Sequence, residues 1–386
     1  MFNPAVSKLT APPVSVVQDW RDSYDGARGD LIDMSQAVPG YPAHPDMTAA
    51  LQSAASQRDA ARYGRVEGDW DLRLAYAAHL GTVYEALVAP EEIHITSGCN
   101  QAFVAAALAI AGHGDEILMT RPCYFNHDSA LGMLGIGIGY VDCHADNAML
   151  PRPRDIEAAI TPNTRALAIV SPNNPCGTVY PHDLVGDIFD LCQRHGIWLI
   201  LDETYRDFLP LDVTRPHDLL SRDGWQQTLV QLYSFSKSYC MPGHRLGAVT
   251  AGTDFVLELA KIIDNIQICA PRAAQMAVTP MLTTLADWRH ENRRRIAARA
   301  AIFEEVIHSL KGWDLLSTGA YFGYVRHPHA KSAGSLDVAM RLAREVGVLT
   351  IPGTFFGDGQ EAFLRFAFAN AGRDVIAELP DRLAGF

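Results

Sequence analysis

At 386 residues the chain is long enough for two domains and at least one large core. A hydrophobic fraction of 48% with 20% charged residues argues against disorder. The formal net charge of -12 argues against nucleic acid or an anionic membrane as the main partner.

The first 45 residues are Pro-rich and irregular, with no apolar leader over Met1–Lys8 and one extended piece over Asp30–Met34. From about residue 46, short apolar runs alternate with helical patterns. The predicted strands are Glu92–Thr96, Glu116–Thr120, Ile138–Asp142, Ala166–Ser171, Ile197–Asp202, Leu229–Tyr233 and Leu246–Thr250. Helix-length segments such as Gln101–Ala111, Asp155–Ile160 and Pro181–His195 lie between them. Such alternation predicts an α/β fold, with a mostly parallel seven-stranded sheet between helices. From Thr253 the pattern turns helical, and Asp287–Leu310 reads as one long amphipathic helix whose Arg293-Arg294-Arg295 triplet forms a solvated face or end. From Tyr321 the rhythm changes to strand, helix (Leu336–Glu345), strands near Val348 and over Phe363–Phe368, and a closing helix. This predicts a smaller α+β domain built from both chain ends. The expected boundaries are 46–275 for the large domain, with 1–45 and 276–386 forming the small one.

The longest strongly apolar stretch, Ala102–Gly112, is too short to span a bilayer. The seven cysteines form no C-x-x-C pair and are odd in number, which fits free thiols in a reducing compartment. A cytoplasmic protein with no membrane partner is the expectation. No zinc-type spacing, Walker loop or serine nucleophile elbow occurs, so no metal is expected. Gly135-Ile-Gly-Ile-Gly139 fails as a dinucleotide loop because Tyr140 stands where a third glycine would be needed.

In open α/β sheets, ligands bind beyond the carboxyl ends of the strands. Several polar residues sit at such ends. Ser97-Gly-Cys-Asn-Gln-Ala102 is a Gly-containing turn opening a helix, suited to a phosphate and equally to an ordinary helix start. Pro172-Asn-Asn-Pro-Cys-Gly177 is a tight loop that presents Asn174 in one orientation. Asp202 closes the most apolar strand, where a buried carboxylate requires a cationic neighbour. A protonated pyridine nitrogen or a structural salt bridge would satisfy it. Lys237, in Ser234-Phe-Ser-Lys237, lies at a strand end among hydroxyls and aromatics, with Arg245 eight residues on. Shielding from water lowers a lysine pKa and makes the amine nucleophilic, as a Schiff base to an aldehyde cofactor requires. A surface-loop lysine is the plainer alternative. Arg365, inside an apolar strand, suits bidentate binding of a carboxylate from a substrate or from the protein itself.

In this order, the phosphate turn, Asn loop, strand-end Asp, Lys and late Arg resemble the class I/II aminotransferases of the fold-type I pyridoxal-phosphate enzymes. The similarity runs from about Gln36 to Asn370, and its most specific parts are Pro172–Gly177, Asp202-Glu-x-Tyr205 and Ser234–Lys237 with Arg245. The resemblance implies an amino-acid:2-oxo-acid aminotransferase that uses pyridoxal 5'-phosphate in a ping-pong mechanism. Lys237 would form the internal aldimine and move the proton, Asp202 would pair with the pyridine nitrogen, and Asn174 and Tyr205 would bond the phenolate oxygen. Gly98, Cys99, Asn100, Ser234 and Arg245 would hold the phosphate, Tyr124 would stack on the ring, and Arg365 would hold the substrate carboxylate. Tyr63, in Tyr-Gly-Arg-Val-Glu-Gly68, would reach the phosphate of a neighbouring subunit, implying a homodimer with shared active sites.

The chain departs from the family pattern at Ala37, where a glycine amide usually faces the substrate carboxylate, and also at Cys176 and Ala320. Pro352–Gly357 follows the pattern. Arg272 suits a second carboxylate, the cofactor phosphate or an interface salt bridge. A lyase or cyclase acting on an amino acid through the same cofactor is the alternative reaction. Ligand-sensing regulators of this kind usually carry an added DNA-binding region, and the sequence offers neither the length nor a basic helix-turn-helix candidate for one.

Overall fold

The computed structural model describes residues 2–386 and divides most of the strands between a large sheet and a smaller one. In chain order the strands are β1 (Ile32–Asp33), β2 (Ile93–Thr96), β3 (Glu116–Arg121), β4 (Gly137–Asp142), β5 (Thr164–Val170), β6 (Trp198–Asp202) and β7 (Leu229–Ser234). They continue as β8 (Gly247–Thr250), β9 (Asp314–Gly319), β10 (Phe322–Arg326), β11 (Val348–Leu349), β12 (Ile351–Pro352) and β13 (Phe363–Phe366). Strands β2 to β8 form a seven-stranded sheet ordered β2-β8-β7-β6-β5-β3-β4. Only β8 runs against its neighbours; the other pairs are parallel.

A parallel strand covered by helices on both faces must be apolar on both sides, which explains the unbroken runs of β5 and β6. Leu167, Ile169, Leu199 and Leu201 belong to one core, while Ala166, Ala168 and Ile200 belong to the other. This is the two-residue alternation of a strand. Helices Trp70–Tyr84, His182–His195 and Arg272–Thr284 close the first core, and Cys99–Ile110 and Thr253–Ile266 close the second. In His182–His195, Val185, Ile188, Phe189 and Cys192 recur at helical spacing and are all buried. Each fully buried side chain of the Ile or Phe kind contributes about 1.5–3 kcal/mol. Gly196, in the left-handed region, ends that helix.

The second sheet is antiparallel, in the order β12-β13-β10-β9, and the long helix Ala286–Ser309 buries Ile296, Phe303 and Ile307 in its core. β1 pairs in parallel with β11, Ile32 opposite Val348, so the early segment joins the late one.

The structure differs from the sequence reading in several places. β9 was not expected, because Asp314–Gly319 is a half-exposed edge strand with little apolar signal. The first 45 residues include two short helices, Pro4–Ser7 and Pro13–Asp19, each opened by a proline that has no amide hydrogen to lose there. The helix expected over Leu336–Glu345 is Ser335–Arg341 continued by a π-type turn, Leu342–Val346. Within the arginine triplet Arg294, paired with Glu291, and Arg295 are exposed as expected, and Arg293 is not. Arg293 instead donates to the carbonyls of Leu209, Pro210 and Val213, and Arg295 lies over the Tyr41 ring. Those carbonyls belong to a loop with no ladder partners, which a guanidinium fork can satisfy together.

Val170, Asp202 and Ser234 are the last residues of β5, β6 and β7, three adjacent strands. Their carboxyl ends share one edge of the sheet, and the loops that follow build the site.

Candidate active site

A cavity of about 190 Å³ lies at that edge. Its walls include Cys99, Asn100, Tyr124, Asn174, Asp202, Tyr205, Ser234, Lys237 and Arg245. Residues from five strand ends, spread over almost 150 positions, thus meet in one place. Gly98 stands just before the helix Cys99–Ile110 with φ +87°, and a β-carbon there would run into the Arg245 guanidinium. The first-turn amides of this helix have no intrahelical acceptor, so they and Arg245 form a positive corner. The Ser234 hydroxyl accepts from the Ser236 amide at 3.3 Å and caps the turn that carries Lys237.

Asp202 is buried and its Oδ1 accepts the Thr204 amide at 2.9 Å. His127 Nε2 stands 3.3 Å from Oδ2, and the Cys99 thiol donates to the same oxygen at 3.5 Å. Burial works to raise the Asp202 pKa, but His127 and the Thr204 hydrogen bonds outweigh it and hold the carboxyl below its usual value. His127 is stacked on Phe103 at 3.8 Å between centroids and meets the edge of Tyr124 at 5.2 Å. The neighbouring Glu203 faces the opposite core, where it accepts from Tyr84 at 2.6 Å.

Lys237 is half-buried on the short turn Phe235–Ser238, and its Nζ donates to the Ala37 carbonyl. Shielding from water, with the nearby Arg365 and Arg245 charges, lowers its pKa to about 8, against the pull of Asp202. The neutral amine is therefore the major form above about pH 8 and the minor one below. In protein free of carbonyl ligands, capture of an aldehyde reagent at Lys237 is expected to slow about tenfold per pH unit below that point. Stopped-flow rates with a midpoint near the ordinary lysine value would contradict this.

Arg365 is 2% exposed. Among the described residues it has no acidic partner. Nη1 donates to Asn174 Oδ1 at 2.9 Å, Nη2 donates to the Ser35 carbonyl, and Nε has no partner. Phe322 and Phe356 flank the guanidinium at 4.8 and 5.4 Å, and burial lowers its pKa to about 10. A core arginine neutralised by a protein carboxylate, the plainer expectation, is not what the fold contains. With Oδ1 of Asn174 engaged, its Nδ2 hydrogens remain as donors toward the cavity. Gly177, at φ +72°, lets the Asn174 loop approach Gly319 and Phe322 of the second sheet, where a β-carbon would meet backbone at 2.5–2.6 Å. Tyr205 packs against Tyr321 and Phe322, with centroids 5.3 and 5.1 Å away.

Two singled-out residues lie elsewhere. Tyr63 is 78% exposed and lines a separate cavity of about 850 Å³, and Arg272 lines the same cavity. Arg272 forms a 2.9 Å ion pair with Asp69 and donates to the Asp59 carbonyl, and it does not line the cavity that holds Lys237 and Arg245. Cys176 is buried, and its amide donates to Asn173 Oδ1. Ala320 takes φ +44° at the β9–β10 turn. The Pro352–Gly357 segment reaches the large sheet, where the Phe356 carbonyl accepts the Cys123 amide at 3.0 Å. His127 escaped the sequence reading. Its one signal was its place three residues after Tyr124 at a helix start, and that does not reveal what it faces.

The model of "Aminotransferase class I and II" matches residues 29–383. An aromatic aminotransferase of Arabidopsis thaliana is 31% identical over 317 residues, covering 79% of this chain and 77% of that protein. An aspartate aminotransferase of Sulfolobus acidocaldarius is 27% identical over 393 residues, covering 100% and 97%. Among solved structures, the aspartate aminotransferase from Thermus thermophilus with maleate superposes with a TM-score of 0.90 at 22% identity. That match covers 100% of this chain and 99% of the other, and it speaks for the fold alone. The family match spans both sheets and every strand end that feeds the cavity; the chain belongs to the class I and II aminotransferases and is an enzyme of the transaminase type.

Proposed function

We propose that this aminotransferase moves the α-amino group of an amino acid to a 2-oxo acid by a ping-pong course, with pyridoxal 5'-phosphate held in the Lys237 cavity. The carrying observation is that a lysine with a depressed pKa and a buried ionised Asp202 line one small space, and that Arg365, with no acidic partner among the described residues, bonds Asn174 in its wall. The residues present fit the group. A doubly charged phosphate suits Arg245 and the helix N-terminus, and a protonated ring nitrogen suits Asp202. When bound, pyridoxal phosphate supplies an aldehyde for the amino group and a ring that accepts the electrons released at the substrate α-carbon.

The protein's own groups do the rest. Lys237 anchors the aldehyde between turnovers and, once displaced, shuttles the proton at the substrate α-carbon. Asp202, steadied by His127, keeps the ring nitrogen protonated. Asn174 and Tyr205 donate to the ring oxygen, and Tyr124 covers the ring face. Gly98, Cys99, Asn100, Ser234 and Arg245 hold the phosphate. Arg365 takes the substrate α-carboxylate beside Asn174 and Ala37. Residues 46–275 form the cofactor-binding unit, with 1–45 and 276–386 closing over it; the helix Arg272–Thr284 spans the later boundary. Two copies pair through the face bearing the exposed Tyr63, which reaches the partner's phosphate site. The seven unpaired cysteines support a cytoplasmic setting.

Amino donors screened against pyruvate, 2-oxoglutarate and oxaloacetate, with the two half-reactions followed separately, test the reading. Release of an elimination or ring-closure product without amino transfer would overturn it. Replacing Arg365 with Leu removes a charge-assisted pair worth about 1.5–3 kcal/mol. KM for every donor is therefore expected to rise roughly 10- to 100-fold, and unchanged steady-state kinetics would remove Arg365 from the substrate site.

A further inference from the structure

Directly after Tyr205, the loop that follows β6 forms the short helical turn Arg206–Phe208. Asp207 on this turn is drawn into the protein. Its Oδ2 accepts from Tyr233 Oη at 2.6 Å and from the Ser238 hydroxyl, and its Oδ1 accepts from Arg289 Nη1 at 3.0 Å. Tyr233 and Ser238 stand on either side of Lys237: one is the penultimate residue of β7, the other follows the lysine directly. Their hydroxyls are also 3.3 Å from each other, so one oxygen gathers both ends of the lysine-bearing turn. Arg206 lies over the Tyr233 ring at 3.9 Å from its centroid.

We infer that Asp207 is a positioning residue: its carboxylate locks the turn carrying Lys237 to the loop that follows Asp202 and carries Tyr205. Three groups assigned to the ring and aldehyde of one cofactor are thereby held in register by a fourth that touches none of it. The carboxylate stays charged because Arg289 and Arg206 face it; His79, Tyr76, Tyr233, Tyr239 and Arg293 are the other titratable groups around it. The groups that face Lys237 itself are Arg365, Arg245, Asp202 and Cys99, with the Tyr205 ring 5.8 Å away. None of them contacts Asp207. Arg289 opens the second turn of the helix Ala286–Ser309, so the lock also reaches the helix that supports the second sheet. The inference rests on the proposed role of Lys237.

The test uses Ser238→Ala and Asp207→Asn in the full chain. The Lys237 amine is titrated by competitive acetylation with acetic anhydride in cofactor-free protein, and kcat, KM and Tm are measured alongside. Loosening the turn lets water reach the amine. Its titration midpoint is expected to rise by about one pH unit toward the ordinary lysine value, while kcat falls roughly tenfold and KM stays within about twofold. An unchanged midpoint, with a lower Tm as the sole effect, would make Asp207 scaffolding and overturn the inference. Should Asp207→Asn fail to fold, Ser238→Ala decides by the same readings. The acetylation midpoint does not depend on turnover, so it separates this inference from the catalytic reading, which Lys237→Ala tests by itself.

Discussion

Lys237→Ala is expected to lower amino transfer about 10³-fold or more, because the substitution removes the group proposed as both nucleophile and proton carrier. The position is specific. No other lysine lines the cavity, and the amine titrates near 8 because burial and two arginines disfavour its charge. Lys237→Arg should be nearly as inactive, since a guanidinium keeps its proton at any working pH. Steady-state rates with a good donor would measure the loss. Borohydride reduction followed by peptide mapping should place a pyridoxyl group on Lys237 in the parent and nowhere in the variant. A variant retaining a tenth of parental activity, or an adduct on another residue, would remove the lysine from its role and the proposed chemistry with it.

Asp202→Asn should be the second most damaging change. The amide keeps the size and can still accept from Thr204, so the fold is expected to survive. What it lacks is charge. Breaking one side of a buried ion pair typically costs about 3–5 kcal/mol. If that falls wholly on the transition state, kcat drops by roughly 10²- to 10⁴-fold. The phosphate is proposed to sit at Arg245 and the start of the helix Cys99–Ile110, so binding of pyridoxal phosphate should weaken much less. Equilibrium titration of the cofactor beside kcat separates the two effects; equal losses in both would mean that Asp202 merely holds the site together. The pH dependence has a definite sign. The folded-state pKa of Asp202 lies below its usual value, so its ionised form persists above the ordinary carboxylate range and is lost only as pH falls through the depressed value. Parental kcat should therefore show no Asp202 limb near neutrality.

The strands of the large sheet were legible because burial on both faces leaves a one-dimensional trace. Seven apolar runs were expected within a residue or two of β2 to β8. β9 left no such trace, since an edge strand with one wet face can be polar. At the cavity, Asp202, Asn174 and Lys237 could be found because each breaks an otherwise apolar or Pro/Gly-fixed context at a strand end. His127 and Asp207 could not. A histidine early in a helix and an aspartate in a loop look ordinary until the chain brings Phe103 and Asp202, or Tyr233 and Ser238, against them. Arg365 was visible as a residue, but its lack of an acidic partner among the described residues is a property of its surroundings.

The order of residues along the chain determined the α/β class, the identity of the strand-end groups and, through their sequence, the family. Local chemistry suffices for these: apolar periodicity, helix caps and proline-fixed turns act over a few residues. Tertiary structure alone decided which groups face one another. Asp202 and Cys99 are 103 positions apart, and Arg365 and Asn174 are 191 apart. Their contact follows from the strand order β2-β8-β7-β6-β5-β3-β4 and from the second sheet closing on the Asn174 loop. Neither arrangement is written in any local pattern, because both are set by how whole faces bury against each other.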